Sequence, residues 1–177
     1  MTPPRYDISS YAFDSTASYF LDTNVWFLVY GPTPPGDPRV QLYSDAVKRL
    51  RSSKAPTFVD ALVMSEFANT WARFEFRRTG GSDFKAFRNS GGFKAVAQDI
   101  ALSLRSILSV AKPTGTAFAN ISLSPFLAAF EAGGADFNDL LIVETCRSKS
   151  CLLVTDDRDM KKSDVPIVTG NQVLLTP

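Results

Sequence analysis

The chain contains no histidine among its 177 residues. That absence excludes Ser-His-Asp and Cys-His nucleophilic sites, His-ligated zinc and any acid–base chemistry that relies on imidazole. Cysteine is nearly as scarce. Cys146 and Cys151 are the only two, too few for a disulfide scaffold or a four-ligand zinc site, and both read as buried, reduced thiols. No apolar run approaches the roughly 18 residues a membrane span needs. Residues 1–14, with Pro3, Pro4, Asp7 and Asp14, lack the apolar core of a signal peptide. The expectation is a soluble, cytoplasmic protein with no membrane partner. An excess of one charge is also missing: 19 basic and 18 acidic residues leave a formal net charge of +1. Any surface for a polyanion must then be a local patch. Carboxylates, hydroxyls, Lys, Arg and a bound ion are left to do chemistry. An all-oxygen site would hold a hard divalent cation such as Mg²⁺ or Mn²⁺.

Apolar residues, by contrast, are plentiful, at 45% of the chain. That suits one globular domain with a sizeable core. The stretch Tyr19-Phe20-Leu21-Asp22-Thr23-Asn24 sets the pattern. A short buried strand delivers Asp22 to its carboxyl end, and Thr23 and Asn24 open a helix. Ligands gather at such strand ends in open α/β sheets, although Asp22 could equally serve as a helix cap. A proline- and glycine-rich loop follows at 31–38, then a helix over 39–52, where Val40, Tyr43, Val47 and Leu50 recur at helical spacing.

A strand at 57–59 leads through Asp60, a helix cap, into a helix over 61–78 that carries Glu66. The segment 79–92, with two Gly-Gly pairs, reads as a loop or short broken helix, and 93–110 as a helix. Residues 112–120 read as irregular. Ser124-Pro125 predicts a short helix over 125–132 with Ser124 as cap and Pro125 in the first turn. Asp136-Phe137-Asn138-Asp139 opens a helix over 140–149. Leu152-Leu153-Val154 is a buried strand that delivers Thr155-Asp156-Asp157, and 165–169 is a last strand, placed at a sheet edge by Pro166. Strands alternating with helices predict a three-layer α/β/α sandwich with a mainly parallel central sheet. Residues 1–18 read as a loose N-terminal arm, docked in part through Tyr11 and Phe13, and residues 19–177 as the domain.

Four acidic stations stand out: Asp22, Glu66, Asp136/Asp139 and Asp156/Asp157. Three of them fall where parallel strands and helix starts meet one edge of a sheet. Carboxylates crowded together repel, and their pKa values rise unless a cation neutralises them. Two such cations about 3.5–4 Å apart can activate water, orient a phosphodiester and stabilise the leaving oxygen. Taken singly, Asp139 could be a cap, Glu66 a solvent-facing helix residue, and Asp156, Asp157 and Asp159 a solvated turn.

The same residues resemble the PIN-domain nucleases and, among them, the VapC-type toxins of toxin–antitoxin pairs. Tyr19 to Asn24 is similar to the first-strand motif, whose Asp is the family's first metal-binding acid. Ser65-Glu66-Phe67 is similar to the helix glutamate after the second strand. The run from Asp139 to Cys146 resembles the helix that opens with an acid, and Leu152 to Met160 the segment with a Thr and the last acid, where Asp157 fits better than Asp156. The resemblance spans about 19–169. It implies a PIN-like fold and a Mg²⁺- or Mn²⁺-dependent endoribonuclease that hydrolyses RNA. Asp22, Glu66, Asp139 and Asp157 would be its catalytic, metal-holding set, with Thr23, Asn24, Asp136, Thr155 and Asp156 behind them. It also implies a cognate antitoxin and a homodimer. The loop 31–38, the segment 79–92 and the N-terminal arm make the chain longer than a typical toxin of this type.

Arg73, Arg77, Arg78, Lys85, Arg88 and Lys94 interleave with Phe74, Phe76, Phe84, Phe87 and Phe93. Cations for phosphates and aromatics for unstacked bases are what single-stranded RNA recognition uses, so Arg73, Arg77, Arg78, Lys85 and Arg88 are candidate RNA contacts. Core or dimer packing of the phenylalanines is the competing reading. The competing functions are a catalytically silent PIN-like module that binds RNA or protein, and a phosphohydrolase. The haloacid-dehalogenase pattern wants a second Asp two residues after Asp22, where this chain has Asn24.

Overall fold

The computed structural model describes residues 3–176. Six strands form one sheet: β1 (Arg5–Asp7), β2 (Ser18–Leu21), β3 (Thr57–Asp60), β4 (Lys112–Thr114), β5 (Cys151–Val154) and β6 (Ile167–Thr169). Their order is β1-β6-β5-β2-β3-β4, and every pairing is parallel. The flanking helices are α1 (Thr23–Tyr30), α2 (Pro38–Ser53), α3 (Ala61–Arg78), α4 (Phe84–Arg88), α5 (Phe93–Leu108), α6 (Leu123–Glu131), α7 (Phe137–Lys149) and α8 (Gln172–Leu175). The arrangement is the expected α/β/α sandwich. Among the described residues, no helix is long and apolar enough to cross a membrane.

β2 occupies the middle because its sequence tolerates burial on both faces. Tyr19, Phe20 and Leu21 are all fully buried, the continuous apolar run typical of a covered parallel strand. α2 buries a single stripe, Tyr43, Ala46, Val47 and Leu50, at the three- and four-residue spacing of one helix face. Asp37 caps it, Pro38 fills its first turn, and Lys54 ends it in the left-handed region. Gly31 closes α1 at a point where a Cβ would stand 2.6 Å from the Phe27 carbonyl oxygen. Only a residue without a side chain fits there.

Several expectations need correction. The segment read as a loose arm supplies β1, which pairs with β6, and Ile8 behind it is fully buried. Tyr11 and Phe13 do pack against the core, as expected. β6 is consequently not an edge strand but lies between β1 and β5. Pro166 precedes the strand, and its carbonyl accepts from the Leu153 amide at 2.9 Å, so its missing N–H removes nothing from the ladder. Residues 112–114, read as irregular, form the opposite edge, β4, and 117–120 make a 3-10 turn. A Lys-Pro-Thr strand is too short and polar to show an alternating pattern. α6 starts earlier than expected, with Ser122 at the cap position and no side-chain cap bond, so Ser124 is inside the helix. α8 was not anticipated.

Candidate functional site

The order of the strands places a reversal beside β2. From β2 the chain moves outward to β3 and β4, then returns through α6 and α7 to add β5 and β6 on the other side. Such a reversal leaves a crevice at the carboxyl ends of the two diverging strands. Here those strands are β2 and β5, paired in register with Leu21 opposite Val154. The residues that follow them are Asp22 and Thr155.

These two side chains are joined directly. The Thr155 hydroxyl donates to Asp22 Oδ2 at 2.7 Å. The same oxygen accepts from Asn24 Nδ2 at 2.6 Å, and the Thr23 amide donates to Asp22 Oδ1 at 2.6 Å. Thr155 Oγ1 in turn accepts from Asn24 Nδ2 at 3.1 Å and from the Asp157 amide at 3.0 Å. Asn24 Oδ1 accepts from the Asp156 amide at 3.0 Å. The amide side chain therefore spans both strand ends. Asp22 does cap α1, as one sequence reading had it, and it also faces the cavity.

That cavity, about 550 Å³, is lined by Asp22, Glu66, Asp136, Asp139, Asp156 and Asp157. They arrive from four separate parts of the chain. Glu66 lies in the second turn of α3 and accepts from the Thr23 hydroxyl at 3.0 Å. Asp136 is the cap of α7, with Oδ1 accepting from the Asp139 amide at 2.8 Å. Asp139 is consequently released from capping. Asp157 caps the 3-10 turn Arg158–Lys162. Asp156 is turned aside: it accepts from the Tyr43 hydroxyl at 2.8 Å and pairs with Arg39 at 3.1 Å. Asp60, at the end of neighbouring β3, caps α3 and does not line the cavity.

Burial and mutual repulsion raise the pKa values of Asp22, Glu66 and Asp139. Burial pushes the Asp22 carboxyl up to about 6 against the pull of its hydrogen bonds, with the charges of Glu66 and Asp157 adding to the rise. Asp139 is pushed up to about 7, by burial first and then by Asp136, Asp22 and Asp157. Glu66 is raised by burial, opposed by the Thr23 hydroxyl and helped by Asp136 and Asp157. No three of the described Asp, Glu and Cys residues stand close enough to form a ready-made metal group. The donors are nonetheless all oxygen and lie around one space. They could hold a hard cation such as Mg²⁺, which keeps part of its water shell when bound by one or two carboxylates.

Sequence reading missed four polar residues that line the same cavity: Arg39, Thr70, Arg158 and Asn171. Thr70 and Arg158 were accessible to it, since Thr70 lies one helical turn beyond Glu66 and Arg158 adjoins Asp157. Nothing local marks Arg39 or Asn171. Arg39 meets Asp156, 117 residues away, and Asn171 Nδ2 donates to the Asp156 carbonyl at 2.7 Å.

The basic candidates do not line the cavity. Phe76, Phe84, Phe87 and Phe93 pack against one another edge-on or tilted, with centroids 5.3–5.6 Å apart between Phe76 and Phe84, Phe76 and Phe87, and Phe87 and Phe93. Arg73 and Arg88 lie over the Phe84 ring at 4.8 and 5.2 Å. The phenylalanines thus build a small satellite cluster under α4. Arg77, Arg78 and Lys85 are exposed, and Arg78 pairs with Glu75.

Comparison with known proteins gives a consistent picture of the chain. The family model described as PIN domain matches residues 19–166. Among solved structures, PAE2754 from Pyrobaculum aerophilum is similar with a TM-score of 0.51 and 18% identity, over 90% of this chain and 95% of that one. VapBC2 from Rickettsia felis, bound to a DNA fragment from their promoter, is similar with a TM-score of 0.53 and 15% identity, over 86% and 98%. At these identities the two share the fold. No curated protein matches in sequence.

Proposed function

The chain belongs to the PIN domain family, and we propose that it works as a divalent-metal-dependent endoribonuclease. The observation that carries this reading is the convergence of Asp22, Glu66, Asp139 and Asp157 on one cavity, with burial and like charge raising Asp22 and Asp139 to about 6 and 7. Carboxylates held so close to neutrality are poised to accept a compensating cation. Bound Mg²⁺ or Mn²⁺ would supply an activated water and charge stabilisation at a phosphodiester. This suits a site that has no histidine. In the proposal the chain's own residues position the reaction. Asp22, Glu66, Asp139 and Asp157 hold the ions, directly or through water. Thr155, Asn24 and Thr23 fix the orientation of Asp22 and Glu66, with Asp136 and Asp156 in support. Arg39 and Arg158 bring positive charge to a phosphate at the mouth.

RNA as substrate is supported by α3. Glu66, Thr70, Arg73 and Arg77 fall on one stripe of that helix, at steps of four, three and four residues. At about 1.5 Å per residue, Arg73 lies about 10 Å beyond Glu66 along the axis. A strand leaving the cavity would meet Arg73 and then Arg77, with Arg78, Lys85 and Arg88 nearby to engage phosphates. The catalytic unit is residues 19–177, with residues 1–18 as an arm that adds an edge strand. The likeness to a VapBC complex supports a toxin role with a protein antitoxin as partner.

The test is cleavage of a fluorescent single-stranded RNA with EDTA, Mg²⁺ or Mn²⁺. Cleavage should require the metal and disappear in Asp22→Asn and Asp139→Asn with circular dichroism unchanged. Undiminished cleavage by both variants would sink the assignment. A second reading, a silent PIN-like binding module, is favoured by the lack of a ready-made group of three acids among the described residues. It predicts RNA binding without Mn²⁺-dependent thermal stabilisation.

A further inference from the structure

A second cavity, about 770 Å³, opens beside the acid-lined one, between α6, α7 and the turn Arg158–Lys162. Asp139 lines both, so the two adjoin at that residue. The volume falls within the roughly 300–1,000 Å³ of small-ligand sites. Its wall is apolar. Phe126 and Met160 are 5% and 2% exposed, and Val143 extends the same surface. Phe126 is braced edge-on by Phe137, with centroids 5.0 Å apart.

The charges around the rim are mostly spoken for. Arg147 pairs with both Glu144 and Asp164, and Asp159 lies 3.7 Å from Arg158. Lys162 is different: among the described residues it has no ion-pair partner, and it is exposed. Its ammonium reaches across to the turn at the end of α6, where it would stand 3.3 Å from a Cβ on Gly134. Gly133 and Gly134 both adopt positive φ, 72° and 91°. The turn therefore leaves room for that ammonium and bends the chain back into α7.

We propose that this cavity receives the nucleotide adjacent to the scissile phosphate of a single-stranded RNA, with its base against the Phe126–Met160 wall and its outer phosphate at Lys162. The inference rests on the endoribonuclease reading and adds where one flanking nucleotide goes. A nucleotide is apolar on its base faces and anionic at its phosphate, and the cavity offers those two surfaces at its wall and its mouth. Because the cavity adjoins the acid-lined one at Asp139, such a base would lie beside the acids. A purely apolar ligand would have no use for the ammonium, and a small free anion none for the wall.

Two variants of the full chain test this. Ala129→Trp fills the cavity from an exposed position on α6, and Lys162→Glu reverses the cation; neither residue belongs to the acid set. Binding of a fluorescein-labelled single-stranded RNA is read by anisotropy in an Asp22→Asn background, and cleavage in the otherwise wild-type chain. Losing one charge-assisted contact should weaken binding about tenfold. In Lys162→Glu the salt slope should also fall by about 0.7. In Ala129→Trp the KM should rise by a similar factor with kcat within about twofold, as expected for lost uniform binding. A 4-thiouridine placed next to the cleaved bond should crosslink to α6 or to 158–162 in the wild-type background and not in Ala129→Trp. Wild-type affinity in both variants, or a crosslink confined to α3, overturns the inference while a cleaving wild-type chain keeps the nuclease reading. If the wild type binds and crosslinks as described but cleaves nothing with Mn²⁺, the nuclease reading falls and the cavity remains a nucleotide site. Neither binding nor cleavage removes both.

Discussion

The Thr155 hydroxyl holds Asp22 across the junction of two adjacent parallel strands, at 2.7 Å, with both residues nearly or wholly inaccessible to solvent. The same oxygen accepts from Asn24 and from the Asp157 amide. One hydroxyl thereby sets the direction of the first acid and the position of the last.

Thr155→Val keeps the shape and removes the hydroxyl. Asp22 then loses a donor, and the Asp157 amide loses its acceptor. Unsatisfied buried partners cost about 1–3 kcal/mol, and loss of an outer hydrogen bond to a metal-holding carboxylate costs about 10–100-fold in activity or metal affinity. Thr155→Ser should recover most of both. Urea melts and Mn²⁺-dependent RNA cleavage measure the two effects, and full activity in Thr155→Val would refute the role.

Three of the acids at the site were visible in the sequence because each stands at an element boundary, whereas Glu66 sits inside α3 and was marked only by its likeness to a family motif. Asp22 follows an apolar run, Asp139 lies one turn into a helix whose cap is Asp136, and Asp157 comes just after Leu152-Leu153-Val154. Local periodicity finds such boundaries. It cannot find Arg39 or Asn171, whose roles depend on Asp156, brought near by a sheet assembled from distant strands. The edge strands β1 and β4 escaped for a related reason. With three residues each, and pairing on one side only, they carry too little buried surface to leave a pattern.

The raised pKa values of Asp22 and Asp139 make metal-free stability depend on pH. Their native values, about 6 and about 7, exceed the ordinary value of 3.8. The folded chain therefore binds these protons more tightly than the unfolded chain, and stability should fall as pH rises from about 4 to about 7. Mg²⁺ or Mn²⁺ should flatten that fall by neutralising the ionised pair. Denaturant midpoints across this range, with EDTA and with Mn²⁺, measure it; a metal-free stability that climbs over the interval would contradict the assignment.

Asp139→Asn separates repulsion from capping. The cap of α7 is Asp136, so the substitution leaves the helix start intact. It removes one charge from a crowded group. The metal-free variant should melt at a higher temperature than wild type at pH 8, while losing cleavage. A lower melting temperature would mean that Asp139 is structurally required.

Tyr43 links α2 to the segments that follow β5 and β6. Its hydroxyl donates to Asp156 and accepts from the Gly170 amide at 2.9 Å. Tyr43→Phe should cost about 1–3 kcal/mol. It should reduce cleavage much less than Thr155→Val, because Asp156 keeps its pairing with Arg39. Chemical denaturation and cleavage assays on the two variants compare them directly.

The order in which β2 acquires its neighbours bears on synthesis. One edge pairs with residues 57–58 and the other with residues 151–154. A nascent chain halted after α5 would display half of its innermost strand as an open template for other polypeptides, and with it only the first two of its reactive acids. The ribosome must deliver the C-terminal quarter before that edge is covered, and the same step that covers it brings the last acids within reach of Asp22.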